Sequence, residues 1–275
     1  MKLHFANSAF ISAPERAVQP GGRWRTSLGL RVRYGILVHP RHGPVLIDTG
    51  YSEDIFEGPR SFGLRAYAAA FGPVLAQDGQ TEVVLNQLGF AASDVSKIII
   101  THFHADHVSA LRRFPQAEII TDLSTLTTIL NRGGFTNLRH GIFPELLPHD
   151  LLHRVVDIAK SPIARAPLTL GIGRDLFEDG SVIAIDLPGH AEGHFGLCFP
   201  QLDPVLLYAC DVQWVQAALA MPRQLPLLGR IVSQNKRDAL RSSRKVAEFQ
   251  RAGGTALLCH DPALTPFDLE QLPND

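Results

Sequence analysis

Six consecutive residues, His102-Phe103-His104-Ala105-Asp106-His107, place four side chains able to bind a metal directly behind the run Lys97-Ile98-Ile99-Ile100-Thr101. That run is apolar and β-branched and reads as a buried strand. Neutral imidazole and carboxylate are the ligands of a borderline divalent ion, and here they are delivered at a strand's C-terminal end. A solvated polar loop is the competing reading, but it gives no reason for four donors in six positions. The string therefore constrains both the local fold, a strand feeding a loop, and the chemistry, a metal site.

The same pattern recurs downstream. Pro188-Gly189-His190 follows an apolar run at 181–186, Asp211 follows one at 205–210, and His260 follows one at 255–259. In layered α/β folds strand ends share an edge where loops from distant parts of the chain converge, so these residues are expected to build one site. The chain holds 12 His but only 3 Cys, and Cys198, Cys210 and Cys259 show no C-x-x-C spacing. A disulfide framework and a thiolate zinc cluster are both excluded on that count. Strand alternation puts Asp211 on the face of Ala209, Leu207 and Val205 and turns Cys210 away, and Cys259 relates to His260 likewise. Both cysteines are thus expected in the core.

Elsewhere strands alternate with helices. Residues 30–38 and 45–48 read as a hairpin turning at Pro40-Arg41-His42-Gly43-Pro44 and leading into Asp48-Thr49-Gly50. Helices are predicted over 81–88, over 122–132 with Thr121 as cap and Gly133-Gly134 beyond its end, and over 236–251 with Asn235 as cap. The stretch 12–30 is rich in Pro, Gly and Arg and is predicted as surface loop, and 135–167 as loops and short helix. This order argues an α/β layered domain, with 45% apolar residues ample for its core. One domain over residues 1–275 is expected, with an insert at about 108–180 covering the site.

At this point the sequence resembles the metallo-β-lactamase superfamily of metallohydrolases. Asp48-Thr49-Gly50, Thr101 to His107, Pro188-Gly189-His190 with Gly193-His194, Asp211 and His260 stand in the family's order. The resemblance implies a four-layer αβ/βα sandwich and two divalent metal ions, zinc by preference. It implies that His102, His104 and His190 hold the first ion, that Asp106, His107 and His260 hold the second, and that Asp211 bridges both. Two ions a few ångströms apart generate a bridging hydroxide at neutral pH and stabilise the oxyanion it forms. Asp106 is the expected catalytic proton shuttle. Asp48 is expected to orient a ligand histidine rather than touch metal.

Within the superfamily the sequence looks most like the quorum-quenching N-acyl homoserine lactone lactonases, which implies hydrolysis of a lactone or another carboxylic ester. Those lactonases resemble one another in a Tyr three residues after the bridging Asp, where this chain has Trp214. Phe103, Phe143 and Trp214 are the candidate substrate-pocket residues, beside Trp24, Phe135 and Leu146. A small-molecule phosphodiesterase, a thioesterase and a non-catalytic metal-containing binder are the alternatives. A net charge of -1 argues against nucleic acid as partner, and no apolar run approaches the roughly 20 residues of a membrane span. The early polar residues of the N-terminus argue against a secretory signal, so a cytoplasmic protein is expected. The apolar residues of 62–71 suggest a homodimer contact or a lid.

Overall fold

The computed structural model describes residues 1–269. In chain order the first elements are β1 (Lys2–Pro14), α1 (Glu15–Val18), β2 (Ser27–His39), β3 (Gly43–Ile47), α2 (Phe62–Phe71), β4 (Val74–Leu75), α3 (Thr81–Gln87), β5 (Lys97–Ile99) and α4 (Ala105–Val108). Then come β6 (Glu118–Thr121), α5 (Leu123–Asn131), α6 (Gly134–Arg139), β7 (Val155–Asp157), β8 (Ile163–Ala166) and β9 (Gly171–Asp175). The last are β10 (Ile183–Asp186), β11 (Phe195–Phe199), β12 (Leu206–Cys210), α7 (Gln216–Leu219), α8 (Leu227–Val232), α9 (Lys236–Arg251) and β13 (Thr255–Leu258). Two compact units result. The first holds residues 1–12, 29–156 and the described residues from 263 onward; the second holds 13–28 and 157–262.

The first unit is built on a seven-stranded sheet in the order β4-β1-β2-β3-β5-β6-β7. The predicted hairpin is β2 against β3, and β5 runs parallel to both β3 and β6. Val45, Leu46, Ile47, Ile98, Ile99, Ile119 and Ile120 are all buried, the continuous apolar reading expected of parallel strands covered on both faces. Parallel pairing brings the C-terminal ends of β3 and β5 to the same edge, so Asp48 and the Thr101–His107 segment emerge side by side. Arg33, fully buried, is satisfied by Asp268 at 2.7 Å and by the carbonyl of Ala263 at 2.6 Å, which ties the segment from Ala263 to Asp268 into this unit.

The second unit carries a six-stranded sheet, β13-β12-β11-β10-β9-β8, antiparallel except for the parallel pair β12 and β13. Its core gathers Ile183, Ile185, Leu207, Ala209 and Leu258 from the strands and Leu187 from just past β10, with Val246 and Phe249 from α9. Asn235 caps α9 as predicted, its side chain accepting from the amides of Arg237 and Asp238.

Several local expectations are corrected. The segment 12–30 is not one loop: β1 runs to Pro14, α1 follows and β2 begins at Ser27. The polar residues that disguise β1 are internal to the sheet, where Asn7 Oδ1 accepts from the Val32 amide at 2.8 Å and Ser8 Oγ donates to the Val32 carbonyl at 2.9 Å. The stretch 135–167 contains β7 and β8 as well as helix. Asp122 rather than Thr121 caps α5, its carboxylate accepting from the Thr125 amide at 2.7 Å, and Gly133 precedes a further helix, α6. Residues 62–71 form a helix, α2, capped by Ser61 and ended by Gly72, with Phe62 78% exposed.

Candidate functional site

In the first unit the donors are ordered by a chain of hydrogen bonds that starts at Asp48. Its backbone is left-handed, with φ of 57°, and its amide donates to the Ile99 carbonyl at 2.8 Å. The carboxylate accepts from the Thr101 amide at 2.9 Å and from Thr101 Oγ1 at 2.9 Å. It also stands 2.9 Å from His107 Nδ1. A carboxylate only accepts, so His107 carries its proton on Nδ1 and keeps a lone pair on Nε2. Thr101 spends its proton on Asp48, so its oxygen accepts from His102 Nδ1 at 3.1 Å, and His102 Nε2 is likewise a lone-pair donor. His102 Nε2 faces His104 Nδ1 at 3.0 Å, and His107 Nε2 faces Asp106 Oδ2 at 3.5 Å. The single turn α4 sets Asp106 and His107, and both the amide and the hydroxyl of Thr49 hold it by donating to the His107 carbonyl.

In the second unit the loop after β10 is seated on the start of α9. Gly189 has φ of 119°, and a Cβ there would lie 2.0 Å from the Ala239 nitrogen, so no other residue fits. The Asn235 amide donates to the Gly189 carbonyl at 3.0 Å, and Ser242 Oγ donates to the Pro188 carbonyl at 2.7 Å. His190 Nε2 is thereby brought 3.3 Å from Asp211 Oδ2, and His260 Nε2 stands 3.3 Å from the same oxygen. One carboxylate oxygen is thus equidistant from two imidazole nitrogens. His194, for which the spacing predicts no ligand role, holds this arrangement: Nδ1 donates to the Leu187 carbonyl at 2.7 Å, and Nε2 accepts from the Asp211 amide at 3.4 Å.

The alternation argument for the cysteines fails at Cys210. The β12 register shifts between Tyr208 and Cys210, and Cys210 takes a left-handed φ of 53°. Its thiol therefore does not point away but lies 3.8 Å from Asp211 Oδ1, while remaining buried. Trp214 is buried with its ring 5.1 Å from that of His260, and its indole N–H has no hydrogen-bond partner among the described residues. It lines a small cavity with His190, Asp211, Gln213 and Ser233. Of the other pocket candidates, Phe103, Phe143 and Leu146 are buried, whereas Trp24 and Phe135 are 60% and 81% exposed.

Two phenols escape sequence reasoning altogether. The Tyr51 and Tyr67 hydroxyls are 2.9 Å apart in the first unit. Burial first, then Tyr67 and the Asp106 charge, hold the Tyr51 phenol well above its ordinary pKa, so it stays protonated.

The donor set fits a divalent cation. Zinc-type ions hold nitrogen and oxygen ligands at roughly 2.0–2.1 Å, which in a tetrahedron spaces neighbouring donors about 3.3 Å apart. The four separations observed within the units, 3.0, 3.5, 3.3 and 3.3 Å, bracket that value. All seven side chains are buried, an arrangement that histidines and carboxylates sustain when a cation shares them.

A family model of the metallo-beta-lactamase superfamily matches residues 28–252. A probable metallo-hydrolase of Mycobacterium tuberculosis is 25% identical over 256 residues, 87% of this chain and 76% of the relative. An N-acyl homoserine lactonase, AttM, of Azorhizobium caulinodans is 26% identical over 246 residues, 86% of this chain and 83% of the relative. Among solved structures, an N-acyl homoserine lactone hydrolase with N-hexanoyl-L-homoserine at its catalytic metal centre superimposes with a TM-score of 0.68 at 20% identity, covering 94% of this chain and 93% of the other. The dizinc quorum-quenching lactonase AidC superimposes with a TM-score of 0.65 at 17% identity, covering 96% and 88%.

Proposed function

The chain belongs to the metallo-β-lactamase superfamily and is a metal-dependent hydrolase with that fold, and on this premise we propose that it opens a lactone or a related carboxylic ester. In this reading His102, His104 and His190 take one divalent ion, Asp106, His107 and His260 take a second, Asp211 is shared, and zinc is the metal. The observation that carries it is Asp211 Oδ2, at 3.3 Å from both His190 Nε2 and His260 Nε2, a spacing at which this carboxylate would share a cation with either histidine. When bound, the ions acidify a water and supply positive charge opposite the carbonyl oxygen.

The chain's own residues do the rest. Asp48 and Thr101 fix the tautomers of His107 and His102, keeping their Nε2 lone pairs available. Asp106 accepts the proton that the attacking water loses and returns it to the alkoxide released when the acyl carbon–oxygen bond breaks. Gly141, within the expected covering insert, borders His104, since a Cβ there would lie 3.6 Å from His104 Cδ2, in support of that role. No helix among the described residues is long and apolar enough to cross a membrane. Three buried cysteines with no disulfide among them favour a reducing, cytoplasmic setting.

The test is a panel of acyl lactones, aryl esters, thioesters and phosphodiesters, run on protein whose metal content is measured in parallel. Lactone or ester turnover with close to two ions per chain, lost in Asp106→Asn and His104→Ala, is expected. Turnover of phosphodiesters or thioesters alone would move the assignment to those activities. Metal-loaded protein inert on every substrate would leave a ligand binder in place of a hydrolase.

A further inference from the structure

Away from the proposed ligands, one groove of the second unit combines room with unbalanced charge. It lies where α8 meets α9, has a volume of about 340 Å³ and is lined by Gln224, Leu225, Arg230, Lys236 and Leu240. That volume falls in the range of small-molecule sites, roughly 300–1,000 Å³. The cavity bordered by Trp214, at about 10 Å³, has space for about one water. Neither the Arg230 guanidinium nor the Lys236 ammonium has a hydrogen bond or ion pair among the described residues. The reason is compositional: residues 212–237 contain Arg223, Arg230, Lys236 and Arg237 but no Asp or Glu. Asp238, the next carboxylate along α9, is engaged by Asn235 Nδ2 at 2.7 Å and by Arg241 at 3.1 Å. In a chain of net charge -1 the groove is therefore a local concentration of positive charge.

The amides of Arg237 and Asp238 at the start of α9 are spent on Asn235 Oδ1, so side chains carry the charge of this groove. Its other wall is apolar. Lys236 and Leu240 are one helical turn apart and share a face of α9. Leu225 and Leu240 are both half-buried, while Arg230 and Lys236 are exposed at the mouth. The corner between the two helices is fixed by the loop that carries His190: the Gln234 amide donates to the His190 carbonyl at 3.1 Å, and the Asn235 amide to the Gly189 carbonyl at 3.0 Å. Charge and apolar surface are thus held side by side.

We propose that this groove is a binding site for a soluble amphiphilic anion, a carboxylate or phosphate head on a short aliphatic chain. Arg230 offers the head a planar fork of N–H donors, Lys236 adds a second positive charge, and the Gln224 amide adds a neutral donor. The chain lies along Leu225 and Leu240. The site does not depend on the hydrolase reading. On that reading, opening an acyl lactone yields a carboxylate joined to an acyl chain, so the product belongs to the class of ligand the groove takes. Leu225 also borders the small cavity of His190, Asp211 and Trp214, so the groove adjoins the proposed metal ligands of this unit.

The test is titration of octanoate into the metal-loaded protein, followed by calorimetry and by backbone amide shifts, which should move at Gln224, Arg230 and Lys236. Arg230→Gln and Lys236→Gln each remove one exposed charge and should weaken binding about two- to fivefold, and the double variant about 10-fold, with the melting midpoint unchanged. Butanoate, whose chain is too short to cover both leucines, should bind about 10-fold more weakly than octanoate. Hexyl phosphate should compete with octanoate, and octanol, which has the chain without the charge, should not. Octanoate can also meet a bound metal ion, so the double variant decides: wild-type affinity there would overturn the inference and leave the hydrolase reading untouched. Equal affinity for butanoate and octanoate would overturn it too. Binding confined to phosphatidylglycerol vesicles, with none to octanoate or hexyl phosphate, would replace the soluble ligand by a lipid surface and refute the proposal.

Discussion

Replacing Asp48 by Asn tests whether the hydrogen-bond chain behind the ligands controls metal binding. The amide is nearly isosteric but brings two N–H groups where the carboxylate only accepts. With its oxygen kept toward the Thr101 amide, 2.9 Å from Asp48 Oδ1, the new NH2 faces His107 Nδ1 across 2.9 Å, donor against donor. The flipped amide instead sets its NH2 against the fixed backbone N–H of Thr101. The imidazole can change tautomer and the backbone cannot, so His107 should shift its proton to Nε2 and lose the lone pair that would bind metal. Losing such an outer partner costs about 10- to 100-fold in metal affinity, or about 1.4–2.8 kcal/mol. Two retained hydrogen bonds lose charge assistance, about 1 kcal/mol each, offset by a buried carboxylate no longer being desolvated. Metal-free stability should therefore move by no more than ~2 kcal/mol while metal affinity falls. Zinc competition against a chromophoric chelator measures the first effect, and the ring nitrogen shifts of His107 report the tautomer. Affinity within threefold of wild type, with Nε2 still unprotonated, would refute the reasoning.

Gly189→Ala should destabilise the fold by about 2–5 kcal/mol, because φ of 119° is closed to alanine and the new methyl would lie 2.0 Å from the Ala239 nitrogen; a loss below ~1 kcal/mol in urea denaturation would show the loop is free to move. His194→Ala removes the donor to the Leu187 carbonyl and the acceptor for the Asp211 amide, so a loss of about 2–4 kcal/mol is expected, and an unchanged urea midpoint would rule out the holding role. Burial pushes the Cys198 thiol up to about 12, so at pH 8 it should react with a thiol-specific disulfide reagent only as fast as the protein unfolds. Because the folded thiol holds its proton above the pH at which the unfolded one releases it, stability falls as pH rises from about 9 toward 12, and Cys198→Ala should flatten that alkaline limb in denaturation curves.

The proposed ligands are legible in the sequence for a physical reason. His102, His104, Asp106 and His107 are contiguous, and Asp211 and His260 each close an apolar run, so local pattern alone marks them. His194 is not legible, because its two partners lie 7 and 17 residues away along the chain and only the fold unites them. Tyr51 and Tyr67, 16 residues apart, escape on the same ground. β11 is buried at every position and shows no alternation, while β1 is masked by Asn7 and Ser8, polar residues whose partners sit on β2. The parity argument at Cys210 is instructive in another way. It holds for Leu207 and Ala209, which share the core, and fails where a register shift adds a residue, since alternation carries no information across a bulge.

Both units solve one geometric problem by the same means. A carboxylate that must serve a histidine from another strand has to emerge beside it, and a parallel neighbour ends at the same sheet edge, as does the next strand but one in an antiparallel run such as β10 beside β12. β3 has β5, and Asp48 accordingly reaches the Thr101–His107 segment; β12 has β13, and Asp211 accordingly reaches His260. Each turn is then made sharply. Asp48 and Cys210, the residues that leave β3 and close β12, are two of the four non-glycine residues with positive φ among the described residues. A left-handed residue of this kind costs on the order of 1–3 kcal/mol and persists where surrounding bonds over-determine it. Those bonds are present: the Asp48 amide to the Ile99 carbonyl at 2.8 Å, and the Cys259 amide to the Cys210 carbonyl at 3.1 Å. In each case the strained turn is tied to the neighbouring parallel strand, so strain and ligand placement have one origin in the sheet.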